Sequence, residues 1–570
     1  MFEGLQKGKR IALFAGIVLG IFSIVLTKFD TAYKYIWLEL LARCLFFASF
    51  LFVYLASFSR EFVKNFIEKI NLKIFLFVLL LTLISRFLFL QNYPFVSIGD
   101  ELRDSGLNAQ KIFTGEIKNV FGYGNYNGFG LGIPLFSSYF YRIFGSSVLT
   151  YRIPAALISV LDISLIYLLC VYLFNHKIAF WASMIMVSSW WHMYLSRTEL
   201  VVILDSAITS LLLFSFFLLR RKRLLDFALM GTVLGFSMGF HASVKIFLIL
   251  FPIIFFDLLL ERNNNFKQKV EKILVIFLYF LVGFGPRILY GDVNVLFQKN
   301  KSFFFSHPNT SLQEISLRYG KSLLVWFYEP LQSRFPGKQP IFSPLLFVFF
   351  LAGFVSLFFI YRKKVKFLPL FYLFVFLIPL TNSALTDTLN FGHRLIPLLS
   401  ISSIFCGVGI FFLLSKIRWK KIRITAAIFI FLYLITGTYN FFYKKPANFN
   451  NKTSDFLSMH LISFLKDNPT LVDRKTCLIL SSENYYVFDL MHYREQYEYF
   501  FPNTQFERQL DNSLQDNEIY VFKDECKKIG LTTNFQEKNV LGYKLFKVDC
   551  NNRKNFYCPL EGTNGFKIYY

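Results

Sequence analysis

Asp100 and Glu101 stand side by side in the stretch Pro94–Gly115, PFVSIGDELRDSGLNAQKIFTG, a few residues beyond the apolar run Ile74–Leu90. Carboxylates are costly where a chain leaves a bilayer, and those that persist there serve ion pathways, proton transfer or substrate contact. At that depth a carboxylate can take the proton of a hydroxyl arriving from water while a lipid headgroup is held nearby. Adjacent acids more often merely solvate a loop. Here the membrane-exit position and an ordered stretch behind it favour chemistry. Asp104–Phe113 has helical spacing, with Leu107, Ile112 and Phe113 toward one face and Gly115 as its stop.

A second constellation is SRTELVVILDSAITS, with Arg197 at the end of one apolar span and Asp205 inside the next. Intramembrane charges pair or line a cavity, so Asp205 is either a structural partner of an arginine such as Arg197 or part of a polar site. Arg86 adds a charge near the end of its own span. Glu39 and Arg43, four residues apart, read as a structural helix pair. The third group is basic: His241 and Lys245 in GFHASVK, Arg287 in GFGPRILY, and His393 and Arg394 in NFGHRLIPLL. One such residue would snorkel to headgroups. Several on one side point to an anion, because guanidinium forks match phosphate. Arg394 and Lys245 are the strongest candidates, and the histidines serve equally well as packing residues.

The elements that must hold these groups are membrane spans. The chain of 570 residues is 55% hydrophobic and 20% aromatic, with a mean hydropathy of +0.47. Long apolar runs recur, which soluble domains do not show. About thirteen spans of roughly 20 residues fit, beginning at Ile11–Thr27, Tyr35–Phe58 and Ile74–Leu90 and ending at Ile424–Tyr439. The net charge of +25 would suggest nucleic acid in a soluble chain, but here the lysines and arginines fill short loops between spans. Every such loop falls on the same side, the cytoplasm by the positive-inside rule. The opposite face then carries residues 91–149, the loop 292–343, the turn 381–394 and everything after Tyr439. Within 91–149, GYGNYNGFGLGIP lets backbone approach a ligand or the membrane, and Leu135–Phe144 suits the interface. The tail mixes helix-like Thr453–Lys466 with strand-like CLILSS, EIYVF and GYKLFKV, a small α/β domain outside the cytoplasm. Cys44, Cys170 and Cys406 read as packing residues; Cys477, Cys526, Cys550 and Cys558 lie in the tail in no zinc pattern and allow three disulfide pairings. No cleavable leader is expected, since Ile11–Thr27 is long enough to span.

On these residues the chain resembles a known superfamily. GDELRDSGLNAQKIFTGE is similar to the acidic first-loop motif of the C-type (GT-C) glycosyltransferases, nearest to the protein O-mannosyltransferases and the aminoarabinose transferases that act on lipid A. SRTELVVILDS resembles the Ser-Arg…Leu-Asp-Ser stretch of that family, and GHRLIPLL its late arginine-bearing helix start. The likeness covers Ile74–Leu414. It departs in two places: the family's His-Pro-Pro-Leu appears only as GLGIPL, and two extra spans come first. No Asp-X-Asp motif is present, which accords with a metal-independent enzyme.

The resemblance implies a polytopic α-helical membrane protein in three parts: two extra helices (1–72), a GT-C catalytic domain (73–440) and an α/β domain (441–570). It implies transfer of a sugar from a polyprenyl-phosphate carrier to a hydroxyl of a lipid, glycan or protein acceptor, with inversion, on the periplasmic face of a bacterial inner membrane. Asp100 would be the base, with Glu101 beside it. Arg197, Asp205, His241, Lys245, Arg287, His393 and Arg394 would surround the phosphate. No cofactor beyond the lipid-linked donor, no metal and no nucleic acid is expected. A flippase for lipid-linked glycans is the rival from another class, although no inverted repeat is evident; a glycan ligase or polymerase is the nearer rival.

Overall fold

A computed structural model of the chain describes residues 7–29, 36–58, 60–91, 102–118, 120–121, 132–198, 202–240, 242–261, 265–290, 312–328, 340, 342–361, 369–384, 395–443, 462, 466 and 499–501, together with seven strands between 475 and 569. Up to Tyr443 the described residues are helical. In order come α1 (Lys7–Phe29), α2 (Ile36–Ser57), α3 (Arg60–Ile67) and α4 (Leu72–Phe87). A π-helical turn, Leu102–Leu107, leads into α5 (Asn108–Phe113), followed by α6 (Gly132–Phe144) and α7 (Val148–Leu173). Then follow α8 (His176–Ser188), α9 (Trp190–Leu195), α10 (Val202–Leu218) and α11 (Leu224–Ser237). A 3₁₀ segment, Ala242–Ile249, runs into α12 (Leu250–Leu260) and is followed by α13 (Phe266–Phe284), α14 (Arg287–Tyr290) and α15 (Leu312–Phe327). The last are α16 (Pro344–Ser356), α17 (Pro369–Ala384), α18 (Pro397–Lys416) and α19 (Lys420–Tyr443).

Six of these helices are long and apolar enough to cross a bilayer, and three apolar segments are shorter. Their outer faces expose Phe14, Phe47, Phe359 and Phe429, side chains suited to lipid rather than water. The chain is an integral membrane protein. Among the described residues the main apolar cluster runs from Leu13 to Phe441, so α1 and α2 share the interior of the main bundle, and a smaller one joins Phe46, Phe121 and Leu135.

Close helix packing rests on glycines. An added Cβ at Gly231 or Gly235 would lie 2.3 or 2.0 Å from the carbonyl oxygens of Ile276 and Phe280, and one at Gly283 would lie 2.1 Å from that of Thr232. The GTVLG segment thus brings α11 and α13 into backbone contact, as small residues four apart do in membranes. Gly353 and Gly409 do the same for α16 and α18, where an added Cβ would meet a carbonyl oxygen at 1.7 and 1.8 Å.

Several expected spans are interrupted. Ile178–Leu195 is two helices, because Ser189 (φ −63, ψ 115) ends α8 while its hydroxyl accepts from the His192 N–H at 3.3 Å to start α9. Ile246–Leu260 begins as 3₁₀, and Ile273–Tyr290 starts earlier, at Phe266, and breaks at Gly285 (φ +56). Hydropathy does not register such breaks, since the freed carbonyls are met by buried side chains rather than by water.

The basic stretch 220–223 meets the end of α2 and the connection between α12 and α13. Arg223 donates to the Ser57 carbonyl at 2.9 Å and, with Arg221, pairs with the buried Asp226; Lys222 and Lys272 both pair with Glu261. In the tail, strands β1 (Lys475–Leu480), β2 (Gln505–Leu510), β3 (Glu518–Lys523), β6 (Cys558–Leu560) and β7 (Phe566–Tyr569) order as β2-β1-β3-β7-β6, and β4 (Phe535–Val540) pairs antiparallel with β5 (Tyr543–Val548). The stretches CLILSS, EIYVF and GYKLFKV fall on β1, β3 and β5; most of Thr453–Lys466 lies outside the described residues.

Candidate active site

Asp100 and Glu101 lie outside the described residues, as do His241, His393 and Arg394. The chain on either side of the acidic pair is described, and it is held firmly. On the near side, Arg197 donates to the carbonyls of Ser85 (3.1 Å), Arg86 (3.0 Å) and Leu88 (2.7 Å), the acceptors that the end of α4 leaves unpaired. Arg152, also fully buried, donates to the Leu90 carbonyl at 3.2 Å. Between them Phe89 takes φ +54, a strained choice for an aromatic residue that persists where surroundings enforce it. Two buried arginines therefore hold the end of α4 through Leu90.

On the far side, Leu102, Ser105, Leu107, Asn108, Ala109 and Ile112 are buried. The predicted stop at Gly115 is real, with φ +78. The predicted apolar face is only partly so: Phe113 is 46% exposed and lies against the Tyr141 ring, 5.1 Å away. The segment opens as a π-turn and is buried nearly all round, so a simple amphipathic pattern does not describe it. α6 buries Leu135, Ser137 and Ser138 and exposes Phe136, Tyr139 and Ile143. Residues 117–121 rest on the N-terminal helices: Phe46 of α2 meets Phe121 edge-on at 5.5 Å, and Arg43 donates to the Lys118 carbonyl at 3.4 Å.

The remaining predicted residues are placed as follows. Arg197 is used as a cap on α4, and its guanidinium also lies over the Phe442 ring at 5.1 Å. Asp205 is fully buried in the first turn of α10, near enough to Lys245 for their charges to interact. Lys245 sits on the 3₁₀ segment. Arg287 opens α14, where its guanidinium lies 5.1 Å over the Phe240 ring. A Cβ at Gly239 would fall 1.0 Å from its Nη1, and one at Gly132 3.6 Å from its Nη2. Arg287 is thus brought to the start of α6, beside the outer loop.

The sequence reading overlooked a buried polar chain behind this site. Arg86 donates to Ser159 Oγ (2.9 Å), Ser85 Oγ (2.8 Å), the carbonyls of Val187 (3.1 Å) and Met186 (3.0 Å), and His192 Nδ1 (2.9 Å). Because Nδ1 accepts, the ring proton is on Nε2, which donates to Asp162 Oδ2 at 3.0 Å. Ser210 donates to Asp162 Oδ1 at 2.5 Å, and its hydroxyl oxygen lies 3.1 Å from Ser400 Oγ. All of these groups are buried, so the chain is a support rather than a route to solvent. It also explains the break in α8: Arg86 from α4 satisfies carbonyls that the break frees, while Arg197 from beyond α9 satisfies those at the end of α4. Asp162 in LISVLDISL and His192 in SSWWHMYL carried the same signal as Asp205, a polar group inside an apolar run.

Residues 130–290 match the family model described as dolichyl-phosphate-mannose-protein mannosyltransferase. The match spans less than half of the chain. The matched stretch contains Arg197, Asp205, His241, Lys245 and Arg287 and the whole Asp162–His192–Ser210 support; the acidic pair and Arg394 lie beyond its ends. No curated protein compared is similar in sequence. Among solved structures, the oligosaccharyltransferase AglB of Archaeoglobus fulgidus, in complex with an inhibitory peptide and a dolichol-phosphate, is 15% identical with a TM-score of 0.46. That alignment covers 70% of this chain and 58% of AglB, so the chain spans little more than half of that enzyme's length. ArnT of Cupriavidus metallidurans, bound to undecaprenyl phosphate, is 13% identical with a TM-score of 0.41, over 78% of this chain and 77% of ArnT.

Proposed function

We propose that the protein transfers a sugar from a polyprenyl-phosphate carrier to an acceptor hydroxyl at the outer face of the membrane, inverting the anomeric centre. The observation that carries this reading is the family match over residues 130–290. It gains support from the firmly held segments that precede and follow the acidic pair in the sequence. In the reaction, the acceptor oxygen attacks the anomeric carbon as its proton passes to the Asp100 carboxylate. The bond from that carbon to the phosphate oxygen breaks, and the phosphate leaves with the electron pair. A positioned base contributes about 10²–10⁴ in rate. The departing phosphate is a stable anion, so no strong acid is needed; Arg394, Lys245 and Arg287 oppose its growing charge. Asp205 offers Lys245 an opposing charge, and Arg197 acts by fixing the end of α4. Donor and acceptor are the reactants, with no further cofactor. The active face and tail point away from the cytoplasm, the side to which the positive-inside rule assigns the basic loops.

The test is transfer from dolichyl-phosphate mannose and other polyprenyl-phosphate sugars by purified protein and its Asp100→Asn variant. Donor binding without transfer in the variant is expected. Unchanged transfer would remove Asp100 as the base, and movement of intact lipid-linked glycan without cleavage would favour a flippase.

A further inference from the structure

We infer that Tyr499 is a positioning residue through which the C-terminal tail pins the outer loop beside the acidic pair. The inference rests on the glycosyltransferase reading and gives the tail a role in it.

Among the described residues of the tail, Tyr499 is fully buried, an unusual state for a tyrosine on a polar extramembrane segment. Its hydroxyl donates to the Ser147 carbonyl at 3.0 Å. Ser147 caps α7, its side chain accepting from the Leu149 N–H. The Tyr499 ring meets Tyr151 at 5.7 Å and Tyr141 at 6.2 Å, both nearly edge-on. Tyr141 in turn packs on Phe113, the last residue of α5. Edge-to-face contacts of this kind add about 0.5–1.5 kcal/mol each beyond burial.

The decisive contact is Gly106, in the π-turn. A Cβ there would sit 3.1 Å from Tyr151 Cδ1 and 3.4 Å from Tyr499 Cε2. The turn that follows Asp100 by a few residues is therefore clamped between a membrane helix and the tail. Phe500 continues the anchor, its ring 5.0 Å from Tyr499 and 3.9 Å from Lys466 Nζ. Without Tyr499 one wall of the clamp is missing, and the Arg152 and Arg197 caps hold only the near side of the acidic segment.

A reaction that depends on near-attack geometry loses about 10²-fold for an ångström of misplacement. Tyr499→Ala should lower the maximal transfer rate at least tenfold, while the donor KM moves less than twofold. Hydrogen–deuterium exchange should rise at least tenfold for amides 102–113 and stay unchanged in α18. Tyr499→Phe keeps the ring and loses one hydrogen bond, so its exchange stays within about fivefold of wild type. Should Tyr499→Ala also loosen α18, Tyr499→Leu, which keeps apolar volume, takes its place.

Unchanged exchange in 102–113 would overturn the inference, and so would faster exchange with a normal rate. A raised acceptor KM with normal exchange would assign the tail to acceptor binding instead. If the wild-type protein fails to use any polyprenyl-phosphate sugar, the reading of function falls, while the exchange data still decide whether the tail pins the loop.

Discussion

Asp162, His192 and Arg86 show how a charge is kept inside this membrane protein. Each has its polar atoms bonded, and the imidazole passes the interaction between guanidinium and carboxylate. Breaking such a buried chain by removing one partner costs about 3–5 kcal/mol, because the other charge is left uncompensated. Asp162→Ala should therefore lower the melting temperature in detergent sharply; a melting curve like that of wild type would show the chain to be dispensable. Arg394→Ala should behave differently, raising the donor KM and lowering kcat while the fold melts normally, since the phosphate is held in both ground and transition states. Arg394→Lys should recover only part of the activity, because an ammonium cannot reproduce the fork. Full activity in Arg394→Ala would remove it from the site. At this scale the sequence was legible where a charge interrupts an apolar run near its end. Asp162 escaped notice because it sits mid-run, where every neighbour argues for simple burial, and His192 because a histidine among tryptophans reads as a packing residue.

Among the elements, the existence of the long helices follows from hydropathy, and their breaks do not. Nothing in the apolar pattern of Ile178–Leu195 marks Ser189 as a boundary; the break depends on Arg86, a hundred residues away, to receive the freed carbonyls. The π-turn at Leu102–Leu107 is similarly set by what surrounds it. The GTVLG segment is the exception, since two glycines four apart in an apolar helix announce a close crossing. With backbone atoms only 2.0 Å from an added Cβ, Gly235→Leu should force α11 and α13 apart at a cost of at least 1–3 kcal/mol, in the range of about that size seen for overpacked cores. Size-exclusion yield and melting temperature would register it, and wild-type values for both would mean that the two helices do not cross there.

At the scale of the whole molecule, the alternation of basic loops predicts which segments share an end, and the contacts of Arg223, Lys222, Glu261 and Lys272 join three of those segments. It could not foretell that the tail reaches back to the π-turn, α6 and α7, because one buried tyrosine leaves no periodic trace. Cysteines placed at Glu116, an exposed position, and at Asn451 should be labelled by an impermeant thiol reagent in intact cells, and one at Lys420 only after permeabilisation. The reverse pattern would invert the topology. The central claim is that one carboxylate of the adjacent pair is the base. Neighbouring residues on a regular backbone point in different directions, so a single cavity uses the two unequally. The most direct measurement is the rate of transfer from a polyprenyl-phosphate sugar by purified Asp100→Asn and Glu101→Gln at matched donor occupancy. The account predicts a loss of about 10²–10⁴ for Asp100→Asn with donor binding intact, and a smaller loss for Glu101→Gln. An active Asp100→Asn beside an inactive Glu101→Gln would contradict it.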